Sequence, residues 1–499
     1  MAYHTTPPSE KHSAGMALEV SQPGPVDTHA GTDPQSNSIN LTEKEDSEHT
    51  NSTDRLVKSP EEIRLVRKLD RRLMPILWFM YWFNYLDRNA ITVARLDGLE
   101  KDLNLTATQY QTSVSILFVG YILGQIPSNM LITRLRPSVY MAGFMALWAI
   151  ASTLTAVVKD YKTLMITRFF LGVTEAPFYG GALYILAMFY TKTEIATRVS
   201  ILFTGNICAT AFAGLIAIGV FEMSGVGGLA GWRWLFIIQG ILTFFISVAS
   251  AWILPDEPSN TRWLSEDERR LATARMDADT TALQTNTSTL TGLFDALKDV
   301  RLWVLIFMQH LHLAASGYKN FFPSIVQTLG FSRNVTLALT CPPYLISGGF
   351  CILCAYSSGR LNERVWHITV CKAVAVFGFV LACATLNTGA RYFAMCTFAS
   401  GVYACNSLII GWVSSTCGQT KEKKSISIGI VTCVSTLAAV YTPYLWPSSD
   451  EPRYVLAMGT SAGFSIAAAL LAWLLRFMLV RENKRLAQRP DHDGTRYVY

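Results

Sequence analysis

The sequence predicts an all-α polytopic membrane protein with twelve transmembrane helices in two six-helix halves. Of its 499 residues, 51% are hydrophobic and only 16% are charged, whereas an ordinary soluble protein has about 25% charged residues. Twelve successive runs of mostly apolar residues each have the length that a spanning helix needs. A polar stretch at residues 255–300 divides these runs into two sets of six. The runs do not alternate between polar and apolar residues, which excludes a β-barrel.

The chain divides into five predicted segments. Residues 1–65 contain no apolar run and are rich in Ser, Thr, Pro and acidic residues, so we expect a disordered cytoplasmic tail. Residues 66–254 and 301–480 form the two halves, residues 255–300 a cytoplasmic linker, and residues 481–499 a second cytoplasmic tail. In the linker, Ser265 and Glu268 have the spacing of a capping box, which predicts a short amphipathic helix. The predicted spans are residues 72–92, 112–132, 138–158, 163–185, 199–221, 232–254, 302–322, 336–356, 367–387, 392–413, 426–446 and 456–480.

The positions of Lys and Arg predict the orientation in the membrane. With both termini in the cytoplasm, the inner loops and flanks hold about three times as many basic residues as the outer ones. This bias accounts for the net charge of +6, which is therefore no indication of nucleic-acid binding. We expect a multi-pass protein of the plasma membrane that contacts lipid and functions as a monomer.

Several chemistries are absent from the sequence. It contains neither a Gly-x-x-x-x-Gly-Lys-Ser/Thr phosphate loop nor a His-Glu-x-x-His zinc motif, and it has too little polar sequence for a catalytic domain. Cys351 and Cys354 lie in an apolar run without a second ligand pair, so we interpret them as packing residues. We therefore expect that the protein is not an enzyme and that it has neither a cofactor nor a metal site.

Short motifs distributed over residues 60–482 resemble one transporter family. They are Tyr85–Ala90, Gln125–Met130 with Arg134, Arg168–Ala176, Gly231–Ile238, Leu254–Pro258, Phe322–Val326, Pro342–Tyr344, Ala390–Ala394 and Asn406. Together they resemble the anion:cation symporter family of the major facilitator superfamily, close to the fungal allantoate permease group with its nicotinate and pantothenate permeases. The resemblance implies that helices 1, 4, 7 and 10 line a central cavity.

Ionisable residues inside spans are the strongest indication of function, because each costs about 2.5 to 3.5 kcal/mol near the bilayer centre. Arg88, Arg168 and Lys319 occupy a similar outer depth on helices 1, 4 and 7. If those helices line one cavity, the three cations lie close together and are able to bind the carboxylate of a substrate. A carboxyl group at Glu175, deep in the fourth span, is able to exchange a proton with the cavity.

Helical phase extends this list. Residues seven apart share a face, so Arg168 accompanies Glu175, and His312 rather than His310 accompanies Lys319. The predicted substrate-binding residues are Arg88, Arg168, Lys319, Tyr81, Asn84, Tyr403 and Asn406. The predicted proton-coupling residues are Glu175, Asp87 and His312.

Each of these residues has a structural alternative. Arg88 is alternatively an interfacial residue that forms a salt bridge with Asp87. Lys319 is alternatively a residue whose ammonium group extends to the outer membrane surface. Arg168 and Glu175 are alternatively an ion pair that stabilises the helix bundle, and the histidines and Asn406 are alternatively packing residues.

In the functional interpretation the protein imports a small organic anion together with protons by alternating access. The alternatives are an exporter or antiporter of a metabolite or drug-like anion, and a nutrient receptor without transport.

Overall fold

The fold is all-helical over the residues that the structure, a computed structural model, describes: 59–132, 134–281, 289–417, 421–488 and 497. Most of each predicted tail, residues 1–58 and 489–499 apart from Tyr497, lies outside the described residues. The helices are α1 (Pro60–Ala94), α2 (Leu99–Asp102), α3 (Ala107–Leu131), α4 (Pro137–Leu154), α5 (Tyr161–Phe189), α6 (Lys192–Phe221), α7 (Gly231–Ile253), α8 (Glu266–Thr281), α9 (Thr289–Lys298), α10 (Val300–Ala315), α11 (Phe322–Gln327), α12 (Arg333–Leu339), α13 (Cys341–Leu361), α14 (Val365–Ala384), α15 (Thr388–Thr416), α16 (Lys421–Thr436), α17 (Ala438–Tyr441) and α18 (Val455–Leu486).

Each predicted span falls on a helix, and the predicted fold class is confirmed. Within the described part of the chain, nine helical segments are long and apolar enough to cross a membrane. The other three predicted spans fall on α1, α3 and α10. Of these, α10 ends at Ala315 and continues through a 3₁₀ turn, Ser316–Asn320, into α11. The seventh span is therefore a broken helix.

Two helices extend past the predicted segment boundaries, and the linker differs from its prediction in the number of helices. Helix α1 begins at Pro60, inside the segment predicted as the tail, because the Ser59 hydroxyl caps the amide of Glu62 and proline favours the first helical position. Helix α18 continues to Leu486, beyond residue 480, with basic residues in its last turn that suit the helix dipole. The linker holds two helices rather than one. Helix α8 has the predicted capping box of Ser265 and Glu268.

The two halves repeat the same packing of neighbouring helices. In the first half, α1 packs on α6 and α7, α3 on α5, and α4 on α5 and α7. In the second half, α10 packs on α16 and α18, α13 on α15, and α14 on α15 and α18. The halves meet where α6 contacts α13 and where α16 and α17 contact α3. Two similar bundles therefore enclose one central region.

Glycines allow α3 and α5 to pack with their backbones close together. A Cβ atom at Gly172 would lie 2.0 Å from the carbonyl oxygen of Leu117, and one at Gly120 would lie 2.3 Å from that of Phe169. Backbone atoms cannot move aside as a flexible side chain can. Small residues at such crossings are typical of membrane helix pairs. This packing holds α5, which carries Arg168 and Glu175, against its neighbour.

We expect Gly172→Ala to destabilise the protein by about 1 to 3 kcal/mol, because the added methyl group forces α3 and α5 apart. The measurement is thermal unfolding of the purified protein in detergent. Gly143→Ala is the matched control, since a Cβ atom at this α4 glycine would have no neighbour within 4 Å. Equal melting temperatures for the two variants would contradict the close-packing argument.

Hydrogen bonds and ion pairs join the halves at the end of the bundle opposite Pro60 and Leu486. Arg95 donates to the hydroxyls of Ser324 and Ser448, at 3.2 and 3.3 Å. Arg333 forms an ion pair with Asp97. Burial raises the pKa of Asp97 above its ordinary value although Arg333 opposes the shift. We call this contact region the closed end.

Candidate functional site

A buried ion pair joins α1 to α5. The Nε and Nη2 atoms of Arg88 lie 2.8 and 2.7 Å from Oε2 of Glu175. The Glu175 side chain is fully buried and that of Arg88 is 14% exposed. The rings of Tyr85 and Tyr121 lie 5.0 Å from the Arg88 guanidinium carbon. Both nitrogens bind the same oxygen, and within the described residues Oε1 of Glu175 has no hydrogen-bond partner.

Arg168 lies two turns before Glu175 on the same helix and has no direct ion pair with a described residue. It is 2% exposed, and its Nε and Nη1 atoms have no hydrogen-bond partner among the residues that the structure describes. It shares a face of α5 with Glu175, because seven residues separate the two. A buried charge without a counter-ion destabilises the protein, so such a guanidinium favours the binding of an anion. Two arginines and one carboxylate therefore form a cluster with a net charge of +1 when all three are ionised.

Asp87 is adjacent to Arg88 in sequence but belongs to a different environment. Its carboxylate accepts hydrogen bonds from Trp148 Nε1 at 3.2 Å, Ser152 Oγ at 3.3 Å and Thr243 Oγ1 at 2.9 Å. These donors come from α4 and α7, so the side chain is fully buried between three helices of the first half. The structure does not bring Asp87 into contact with the arginine cluster, which disfavours its pairing with Arg88.

Lys319 lies in the 3₁₀ turn of the broken seventh span. Its Nζ atom is 3.9 Å from the centre of the Tyr403 ring, a cation–π contact. Tyr403 belongs to α15 of the second half, whereas Arg88 and Arg168 belong to α1 and α5 of the first half. The meeting of the three cations in one cavity stays a prediction.

His312 faces a lysine that the sequence analysis did not single out. Nζ of Lys372, on α14, lies 2.9 Å from Nδ1 of His312, and both side chains are buried. His310 points elsewhere, to the Val434 carbonyl and the Tyr441 hydroxyl. The two histidines therefore have different neighbours. The charged partner of His312 lies on α14, the ninth span, and the role of His312 in proton coupling stays a prediction.

The remaining predicted residues lie along the helices that flank these groups. Tyr81 stacks on Phe178 of α5 with ring centres 5.5 Å apart. Asn84 is buried, and its Nδ2 atom lacks a partner among the described residues. Asn406 accepts a hydrogen bond of 2.9 Å from Gln309 Nε2, which links α15 to α10. Gln309 was absent from the sequence prediction, and so were Tyr85 and Tyr121.

This architecture of two six-helix bundles around a polar centre has known relatives. Residues 77–443 match the sequence profile of the Major Facilitator Superfamily. The chain belongs to the major facilitator superfamily. An uncharacterized transporter of Schizosaccharomyces pombe is 30% identical over 452 residues, which cover 88% of this chain and 92% of that protein. An MFS-type transporter of Penicillium expansum is 30% identical over 85% of this chain and 84% of its own length.

Solved structures agree with the fold of this major facilitator protein. A bacterial homolog of the human lysosomal transporter Spinster, in an inward-facing and occupied conformation, has a TM-score of 0.65 at 14% identity and covers 82% of this chain and 97% of that one. A D-xylose-proton symporter has a TM-score of 0.61 at 14% identity over 81% of this chain and 97% of that one. The protein is a multi-pass membrane transporter and not an enzyme.

Proposed function

We propose that this transporter carries a small organic anion into the cell together with protons, as a member of the anion:cation symporter family and of its allantoate permease group. The observation that supports this function best is Arg168, a buried guanidinium with two nitrogen atoms unpartnered among the described residues. A planar guanidinium binds a carboxylate through two parallel hydrogen bonds. A substrate carboxylate therefore supplies the partner that the protein does not.

Glu175 is the proposed proton carrier because the proton then binds in the same cluster of side chains as the substrate. Its ionised carboxylate neutralises Arg88, and its protonated form releases that arginine. Protonation thus raises the positive charge available to an anionic substrate, which couples the two bindings. Asp87 and His312 remain secondary candidates for the coupling, since both are bound by other side chains away from the cluster.

The orientation follows the proposed cytoplasmic termini in the plasma membrane. In this orientation the closed end, with Arg333 and Asp97, faces the outside of the cell. The protein is proposed to work as a monomer, since each half supplies its own part of the central region. Alternating access requires the contacts of the closed end to separate.

Uptake into proteoliposomes tests this function. We expect a labelled carboxylate from a panel of mono- and dicarboxylates to accumulate above its external concentration when the outside is acidic, and a protonophore to abolish the accumulation. Uptake driven only by an acidic interior would favour the antiporter alternative. A panel of neutral sugars is the control, and transport of sugars without transport of any acid would refute the proposal.

A further inference from the structure

Helix α9, the second helix of the linker, has three chemically different sides. Ala296 is buried in the core of the second half, where α9 packs on α16. Phe294 and Leu297 are exposed apolar residues, and they share one side because they lie three residues apart. Asp295 and Lys298 are also exposed, and they lie about 100° further around the helix. A helix with an apolar and a charged exposed side is typical of the boundary between membrane and water.

The seventh span fixes the level of α9 relative to the membrane. Helix α10 begins at Val300, and Asp299 caps it by accepting a hydrogen bond of 3.0 Å from the amide of Arg301. Trp303 lies in the first turn of α10, at the start of the predicted span, where interfacial tryptophans are expected. Its Nε1 atom donates to the carbonyl of Leu297 at 2.9 Å. Helix α9 therefore lies at the level of this tryptophan, next to the membrane surface.

The exposed apolar side of α9 continues the lipid-facing side of the seventh span. On α10, the exposed residues Val300, Trp303 and Phe307 have the spacing of one helix face. Phe307 is 56% exposed and Phe294 of α9 is 59% exposed. Because Trp303 belongs to this face and is hydrogen-bonded to Leu297, the apolar surface extends from the span onto α9. Lipid is the partner that suits both parts of this surface.

The charge next to this apolar side also suits a phospholipid. Lys298 follows Leu297, is exposed and forms no ion pair with a described residue. The long stem of a lysine can lie along apolar surface while its ammonium group reaches the phosphates of the lipid. An apolar side that enters the leaflet beside a cation at headgroup level is the usual arrangement of an interfacial helix.

Helix α8, the other helix of the linker, is held by protein instead. Nζ of Lys68 on α1 lies 2.6 Å from Oε2 of Glu268. Nη2 of Arg275 lies 3.2 Å from Oε2 of Glu194 on α6 and donates to the carbonyl of Phe189 on α5 at 2.7 Å. These contacts fasten α8 to the first half. The two linker helices therefore differ in the surface that each presents to its surroundings.

We propose that α9 is a membrane-surface anchor whose residues Phe294 and Leu297 insert into a phospholipid leaflet, while Asp295 faces water. The leaflet is the one at the end of the bundle that holds Pro60 and Leu486, which is the cytoplasmic leaflet in the proposed orientation. The linker is then fastened by protein at α8 and by lipid at α9. This inference goes beyond the proposed function and is independent of the transported substrate.

Photo-crosslinking in proteoliposomes tests the anchor. The photoreactive amino acid p-benzoylphenylalanine is placed at position 294 of the full-length protein, in vesicles of equal amounts of dioleoyl phosphatidylcholine and dioleoyl phosphatidylglycerol. We expect an adduct of the protein with one phospholipid, detected by mass spectrometry. The same replacement at Phe307 is the positive reference for a lipid-facing position. Replacement at Asp295 is the matched control, because it lies on the same helix but on the charged side, and we expect less lipid adduct there.

Leu297→Glu, combined with the probe at position 294, should lower the yield of lipid adduct, because a charge is unfavourable inside the leaflet. Thermal unfolding like that of the wild type shows that the variants are folded. A cross-link from position 294 to another part of the chain or to a second copy would overturn the anchor, since protein would then cover this side. Equal lipid adducts at positions 294 and 295, or an adduct at 307 without one at 294, would also overturn it. None of these results bears on the uptake of an anion.

Discussion

Arg168→Ala is expected to raise the apparent substrate constant for uptake at least about 30-fold, which corresponds to about 2 kcal/mol or more for a buried charge-assisted contact. The alanine variant leaves the carboxylate of the substrate without its bidentate partner. The variant also changes the net charge of the cluster from +1 to zero, which removes the net electrostatic attraction for an anion. The measurement is initial uptake of the preferred carboxylate probe as a function of its concentration.

Two further arginine variants separate binding from folding. Arg168→Lys keeps the positive charge but loses the planar pair of donors, so we expect an intermediate increase of the apparent constant. Arg270→Ala is the control, because Arg270 is an exposed residue of α8 whose ion pair with Glu266 is 74% and 77% exposed. Surface pairs of this kind contribute little. An apparent constant unchanged in Arg168→Ala would remove Arg168 from the binding site.

The sequence predicts on which helix a residue lies better than it predicts which neighbouring helix its side chain meets. Arg168 and Glu175 share a face because they lie seven residues apart within one uninterrupted helix, α5. Arg88 and Asp87 lie at nearly the same depth, but consecutive helical residues point about 100° apart. One reaches α5 and the other reaches α4 and α7. Only the packing of the neighbouring helices decides which of them meets Glu175.

Two features of the second half were not predicted from the sequence: the break in the seventh span and the lysine beside His312. The seven-residue rule that linked His312 to Lys319 assumes one continuous α-helix, whereas the chain changes to a 3₁₀ turn at Ser316. Lys372 is an ionisable residue within the predicted ninth span, so the criterion of cost in the bilayer already applied to it. It lies on α14, the ninth span, which the resemblance does not place at the cavity.

Glu175→Gln is expected to abolish accumulation against a concentration gradient while exchange of labelled for unlabelled substrate continues. Glutamine nearly matches glutamate in shape, but it cannot take up or release a proton. It also leaves Arg88 without its counter-ion, so the anion binds at least as well and uphill transport loses its coupling.

The comparison of net uptake with exchange in the same proteoliposomes distinguishes this role from a structural one. A structural defect lowers both rates, whereas loss of coupling lowers only net accumulation. Asp87→Asn is the informative companion, because it also removes a buried carboxylate of the first half, but one that Trp148 and Thr243 hold. If Glu175→Gln still accumulates substrate, while Asp87→Asn loses accumulation and keeps exchange, the proton is carried by Asp87 and not by Glu175.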